Sequence, residues 1–192
     1  MFHFFMSEAL KDNPEQEMIC VDAFGGRTGR IIDRKTAHST PGIKHLAIQV
    51  MVFNPQKELI LHERPLKKVG GGVWDSPTTH VLNGETPAQA GVRCLKDEYG
   101  IASNEEEITV LGGFSYEKDY GDGSCENEFC LAAFAVYTGS IKPNGEHVIK
   151  LMNFPAKKVR DEIKAGSSKY PVWFVETTRI VAADFNGKKF FE

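Results

Sequence analysis

Residues 85–101 read Glu85-Thr86-Pro87-Ala88-Gln89-Ala90-Gly91-Val92-Arg93-Cys94-Leu95-Lys96-Asp97-Glu98-Tyr99-Gly100-Ile101, and this stretch decides the fold. Asn83-Gly84 just ahead of it is a turn signal. Thr86 is a good N-cap, Pro87 suits the first helical position, and Gln89 completes a capping box. The spacing predicts a helix over about 87–99, with Ala90 and Leu95 in its buried stripe and Gly100 as a left-handed stop. Residues 94 and 98 then lie one turn apart on one face, with Asp97 beside them. Acidic groups in a last turn oppose the helix dipole, so a merely solvated helix end explains them poorly. A carboxylate cluster there suits Mg²⁺ or Mn²⁺, hard ions that take oxygen ligands and keep waters for phosphates.

Length and charge narrow the class. A chain of 192 residues is expected to form a single domain over 1–192, long enough to bury a real core, with a polar, loose segment before residue 18. The formal net charge of −3 comes without a basic stripe, so no nucleic-acid partner is expected. Cys20, Cys94, Cys125 and Cys130 show no paired Cys-x-x-Cys spacing, which argues against a zinc ribbon or a disulfide framework. The apolar opening Met1–Met6 is too short for a signal peptide or a membrane span. The expectation is a cytoplasmic, soluble protein, monomeric or homodimeric, with no membrane partner.

Strand signals surround the helix. Short strands are predicted at 18–22 and near 30–33, flanking Gly25-Gly26-Arg27-Thr28-Gly29. His45–Phe53 and Glu58–His62 are apolar runs joined by Asn54-Pro55, a hairpin signature. Lys67–Gly72 is a basic, glycine-rich loop. Ile108–Phe114 and Glu128–Tyr137 read as strands around Gly121-Asp122-Gly123. Phe154–Ala165 and Pro171–Ala183 read as two further helices. Strands interspersed with helices give an α/β class with a mixed sheet covered by helices.

A second constellation lies outside the helix. His38 and His45 are seven residues apart, an odd separation that would put them on opposite faces of one strand. Ser39-Thr40-Pro41-Gly42 between them can supply the turn they need to converge. His80 precedes the helix, and Glu126 and Glu128 share a face of a predicted strand, roughly 7 Å apart. Imidazoles with two carboxylates would suit Zn²⁺, Mn²⁺ or Mg²⁺. Spacing alone does not make them meet.

The segment from Thr79 to Ile101 resembles the Nudix box: Gly, five residues, Glu, seven residues, then Arg-Glu-aliphatic-any-Glu-Glu-any-Gly-aliphatic. Its spacing is intact, with Thr79 in place of the first Gly and Cys94 in place of the first Glu of the cluster. The resemblance implies a Nudix-type α/β/α sandwich that holds divalent metal against a diphosphate. Within that superfamily the chain is similar to type I isopentenyl-diphosphate isomerases, from about Val21 to Tyr137. In those enzymes two histidines seven apart, a histidine just before the box and a Glu-Asn-Glu strand ligate one metal. Here His38, His45, His80 and Glu126-Asn127-Glu128 stand in that order. The likeness further implies an active-site tyrosine at Tyr116, diphosphate-binding bases at Arg34, Arg64 and Lys67, and Mg²⁺ held on the diphosphate by Glu98. Such isomerases also lack the first Glu of the cluster.

One departure bears on the reaction. The family's catalytic cysteine lies two residues before the histidine matched by His80, and here that position is Thr78. Isomerisation needs two groups that exchange protons. Glu128 can be one, and a thiol can be the other, whereas an unactivated threonine hydroxyl does not ionise near neutral pH. Three functions follow from the sequence: an isoprenoid-diphosphate isomerase with altered proton chemistry, a Nudix hydrolase in which Glu98 and Asp97 hold Mg²⁺ while a carboxylate activates water, and a silent diphosphate-binding protein. Cys130 shares the face of Glu128 and is the one thiol to test as a stand-in.

Overall fold

The computed structural model describes residues 16–68 and 70–192. The expected loose segment therefore lies outside the described residues, apart from Gln16 and from Glu17, which opens the first strand. In chain order the elements are β1 (Glu17–Val21), β2 (Arg27–Asp33), α1 (Arg34–Ala37), β3 (His45–Phe53), β4 (Glu58–Glu63), β5 (Trp74–Asp75) and β6 (Thr78–His80). They continue with α2 (Pro87–Tyr99), β7 (Thr109–Asp119), β8 (Cys125–Val136), β9 (Lys150–Pro155), α3 (Ala156–Lys164) and α4 (Val172–Ala183).

β3 is the spine of a curled mixed sheet. It pairs in parallel with β8 from His45↔Glu128 to Phe53↔Val136 and antiparallel with β6 through Ala47↔His80 and Gln49↔Thr78. β7 runs antiparallel beside β8, while β9 and β5 flank β4. All of β3 is buried, as expected of a strand covered on both faces.

The two faces separate by residue parity. Leu46, Ile48, Val50 and Val52 pack with Ala90, Leu95 and Tyr99 of α2. Met51 and Phe53 pack with Val159 and Ile163 of α3 and with Trp173, Phe174 and Val181 of α4. Helices on both faces of one sheet make the α/β/α sandwich.

α2 forms over the predicted span, with the Thr86–Gln89 capping box in place and Gly100 left-handed at φ 65°. A Cβ on Gly100 would sit 2.6 Å from the Lys142 carbonyl oxygen, so glycine is required there for packing as well as for backbone conformation.

Several boundaries differ from expectation. Residues 150–155 form β9, so the helix expected over Phe154–Ala165 begins only at Ala156. That run is short and amphipathic, and pairing with β4 takes residues that periodicity alone gives to the helix. β7 and β8 extend toward each other to Asp119 and Cys125, because the glycine turn between them is tight enough to carry the ladder. All four cysteines are free and buried. No helix among the described residues is long and apolar enough to cross a membrane.

Candidate metal centre and active site

Parity also places the site. His45 and Gln49 lie on the α4 face of β3, and register sets Glu128 beside His45 and His80 beside Ala47. His38 comes from the C-terminal end of α1. Its carbonyl accepts from the Cys125 backbone N–H at 2.9 Å, and Thr40 N–H donates to Gly123 O at 3.1 Å. The 39–42 turn is thereby docked on the β7–β8 loop, which carries His38 to Glu126.

The three imidazoles form a triangle with ring centroids 4.7, 4.9 and 5.0 Å apart. One donor atom from each of His38, His45, His80, Glu126 and Glu128 lies within 4.8 Å of all the others. Ligands on opposite sides of one cation at roughly 2.0–2.3 Å are themselves about 4–4.6 Å apart, so the set is nearly the size of a single ion. His38 Nδ1 and His45 Nδ1 each contact a backbone carbonyl, Arg34 O and Ile43 O, at 2.8 Å. Those bonds fix the protons on Nδ1 and turn Nε2 inward, the outer support that metal-ligating histidines use. His80 differs, since its Nδ1 faces the Arg34 guanidinium at 3.3 Å.

The inward atoms lack ordinary partners. His38 Nε2, His45 Nε2 and Glu126 Oε2 are buried without a hydrogen-bond partner, although His38 Nε2 is 3.2 Å from Glu126 Oε2 and His45 Nε2 is 3.4 Å from Glu128 Oε1. Buried polar atoms are rarely left so, and an ion would satisfy all three together. The residues therefore fit a divalent cation: three imidazoles and two carboxylates suit Zn²⁺ or Mn²⁺, and Mg²⁺ less well.

Electrostatics bind the group together. Burial would raise the Glu128 carboxyl, yet the His45 and His80 imidazoles hold it well below the usual range. Burial and the neighbouring Glu128 charge push Glu126 up. Burial, aided by the Arg34 charge, takes His80 down to about 3, which keeps it neutral as a ligand must be. The Tyr116 hydroxyl donates to Glu128 Oε2 at 2.6 Å, and its ring lies 5.6 Å from Trp173 and 6.1 Å from Phe114. An aromatic wall thus adjoins the carboxylate.

Thr78 stands on the same face. Its hydroxyl donates to Ser76 O at 2.9 Å and accepts from Gln49 Nε2 at 3.0 Å. Gln49 Nε2 also donates to Asp75 Oδ1 at 2.6 Å, and Trp173 Nε1 donates to Asp75 Oδ2 at 3.0 Å. Arg64 reaches Asp75 at 3.5 Å and lies over the Trp173 ring at 5.6 Å. Burial raises the Asp75 carboxyl.

Glu98 and Asp97 are outside the five-donor group. Glu98 is buried, with Oε2 lacking a partner, and burial pushes its carboxyl up to about 7. His147 Nδ1 lies 3.9 Å from Glu98 Oε1, and Lys68 Nζ contacts the same His147 nitrogen. Asp97 is half-buried near Arg93 and Lys96. Cys94 is buried in the helix interface, and burial raises its thiol. Glu85 and Arg93 form a clamp: Arg93 donates to both Glu85 carboxylate oxygens at 2.7 and 2.9 Å and to His80 O at 2.8 Å.

Of the expected basic residues, Arg34 lies at the imidazole cluster, and Arg64 pairs with Asp75 at 3.5 Å and is held charged by Asp75, Glu98 and Glu126. Lys67 is exposed, whereas its neighbour Lys68 turns inward. Sequence reading missed Lys68, His147, Asp75 and Gln49. Gln49 carried a signal, as a polar residue on the His45 face of an otherwise apolar run. Lys68 and His147 carried none, because a basic loop and an isolated histidine look alike in and out of a site.

Comparison with known proteins adds family and fold. The NUDIX domain family model matches residues 43–174. A protein named isopentenyl-diphosphate Delta-isomerase from Corynebacterium diphtheriae is 30% identical over 169 residues, covering 85% of this chain and 92% of that protein. One of the same name from Haloarcula marismortui is 29% identical over 154 residues, covering 78% and 82%. Among solved structures, a Deinococcus radiodurans protein aligns with TM-score 0.64 at 15% identity over 86% of this chain and 99% of that one. A MutT protein from Methanosarcina mazei aligns with TM-score 0.57 at 15% identity, over 71% and 91%. At such identities the structural likeness speaks for the fold alone.

Proposed function

This chain belongs to the NUDIX domain family, and we propose that within it the protein is a divalent-metal-dependent enzyme acting on an isoprenoid diphosphate, built on the isomerase frame. The observation that carries this reading is the convergence of His38, His45, His80, Glu126 and Glu128 within 4.8 Å, with Tyr116 bonded to Glu128 beside an aromatic wall. A bound cation supplies Lewis acidity and neutralises charge close to the substrate. The chain's own residues do the rest. Arg34, Arg64 and the 64–72 loop offer positive charge to a diphosphate. Trp173, Tyr116 and Phe114 offer apolar surface to a short hydrocarbon and exclude water. Glu128 and Tyr116 hold a proton at the carboxylate edge. Isomerisation adds one proton to the terminal alkene carbon and removes one from the carbon two positions away, with no net change. Thr78 offers no second group that exchanges a proton near neutral pH, so the isomerase rate of this chain is low.

One observation favours a second reading. The Thr78 hydroxyl is committed to Ser76 O and Gln49, while Glu98 keeps a buried, unpartnered oxygen at the box helix. Hydrolysis of an organic diphosphate needs the latter and not the former. Incubation with isopentenyl diphosphate and a panel of nucleoside diphosphates in Mg²⁺, following both isomer and released phosphate, tests the proposal. Isomer formation supports the first reading. Phosphate release without isomer replaces it with hydrolysis, and neither product with any substrate removes both.

A further inference from the structure

Asp75 carries a buried carboxylate that neither the five-donor group nor the box helix uses. Among the described residues, the other buried carboxylates are Glu98, Glu126 and Glu128. The short strand β5 puts it there. Asp75 pairs with His62 of β4, and the Trp74 N–H donates to the Lys169 carbonyl at 2.9 Å. Alternation along the strand then turns Asp75 inward, where it is fully buried. A side chain so covered touches no substrate, so any part it plays in the reaction runs through its neighbours.

The described residues surround the carboxylate with four donors. Oδ1 accepts from Gln49 Nε2 at 2.6 Å and from the Ser76 N–H at 2.8 Å. Oδ2 accepts from Trp173 Nε1 at 3.0 Å and faces Arg64 at 3.5 Å. The Thr78 hydroxyl gives its proton to Ser76 O, so the Gln49 atom between Thr78 and Asp75 is the amide nitrogen. Donors alone match an ionised, acceptor-only carboxylate.

Three of these donors belong to side chains of the pocket. Arg64 lies over the Trp173 ring at 5.6 Å from its centroid, and Oδ2 holds the N–H of that same indole. Carboxylate, guanidinium and indole thus close a triangle, in which Asp75 sets the rotation of the ring and the place of the charge above it. The chain around Arg64 is fastened too. Its N–H donates to Val73 O, and the Gly72 N–H donates to Arg64 O, both at 2.9 Å. A Cβ on Gly70 would lie 2.8 Å from the Trp173 ring, so the 64–72 loop closes on the indole where glycine alone fits. Burying a charge for the fold alone is a cost that apolar packing avoids, and here the bonds run to groups that face the site.

We propose that Asp75 is a positioning residue: it locks the Arg64 guanidinium to the Trp173 indole, so that the charged and apolar ends of a substrate meet surfaces at one fixed separation. The inference rests on the proposed substrate, a diphosphate joined to a short hydrocarbon, and adds a residue that contacts neither end.

The test is calorimetric titration of inorganic diphosphate and of isopentenyl diphosphate, each with Mg²⁺, into the full chain. The forms compared are the unmodified protein, Asp75→Asn, Arg64→Ala, the double variant and Trp173→Phe. Asparagine keeps the shape and removes the charge that faces Arg64. Loss of a charge-assisted contact costs about tenfold, so Asp75→Asn is expected to bind both ligands about tenfold more weakly. In the Arg64→Ala background the same change is expected to add less than about twofold, because Asp75 acts through Arg64. A merely structural role would give losses that multiply. Trp173→Phe keeps a ring beneath Arg64 but removes the N–H that Asp75 accepts. It is expected to weaken inorganic diphosphate about two- to tenfold, although that ligand has no hydrocarbon to meet the ring. Should Asp75→Asn not fold, this variant decides. Undiminished binding by Asp75→Asn, multiplying losses in the double variant, or full diphosphate affinity in Trp173→Phe would overturn this inference and leave the proposed function standing. Failure of the unmodified chain to bind isopentenyl diphosphate would overturn both.

Discussion

Gln49 Nε2 donates to Thr78 Oγ1 at 3.0 Å, so the hydroxyl at the isomerase thiol position is anchored from the floor of the sheet. Because Thr78 also donates to Ser76 O, its proton is engaged and unavailable to an alkene. A positioned general acid or base contributes about 10²–10⁴-fold. Thr78→Cys is therefore expected to raise turnover of isopentenyl diphosphate by a factor in that range. Equal rates for the two forms in a side-by-side assay would show that the missing thiol is not what limits the reaction.

Metal binding has its own test. Outer-shell partners of metal-ligating histidines cost about 10–100-fold in affinity when removed, so losing a ligand costs more. His45→Ala, which removes a fully buried imidazole, is expected to take bound metal below one ion per chain in elemental analysis. Chelation of the unmodified chain is expected to lower its thermal midpoint, because an ion held only by the folded state stabilises it. Full metal content in the variant would remove the site.

The Glu85–Arg93 clamp holds His80 by its carbonyl. Arg93→Ala removes the guanidinium from a partly buried carboxylate, which keeps the Leu82 N–H at 3.0 Å, and from the His80 backbone oxygen. A loss of about 2 kcal/mol or more in urea unfolding is expected, together with weaker metal binding through displaced His80. A variant as stable as the unmodified chain would make the clamp irrelevant to the fold.

Acid stability follows from His62. Burial, with the Arg64 and Lys68 charges adding to it, lowers its imidazole to about 3, and Nδ1 pairs with the Tyr99 hydroxyl at 3.1 Å. Unfolded, the ring titrates near about 6.5. Between those values the unfolded chain binds the extra proton, so this stabilisation is complete above about pH 6.5 and is lost as pH falls toward 3, by up to a few kcal/mol. His62→Gln is expected to flatten the acid limb of a stability–pH curve. An unchanged slope would mean that His62 titrates normally in the fold.

Much of this was legible in the chain alone, and for local reasons. Thr86, Pro87, Gln89 and Gly100 specify α2 through capping and a left-handed stop, interactions that span four residues or fewer. The run His45–Phe53 specified a strand by composition, and parity put Glu126 and Glu128 on one face. Tertiary structure decided the rest, because it depended on pairings that sequence distance does not encode. The parallel register of β3 on β8 sets His45 beside Glu128. The docking of the 39–42 turn on the β7–β8 loop brings His38 to Glu126. The pairing of β9 with β4 shortened the expected helix. The turn fastened to Glu98 carries His147, 49 positions farther along the chain, to the box helix. Short-range hydrogen bonds and periodicity leave a mark in neighbouring residues, whereas a site assembled across strands leaves its mark only once the register is known.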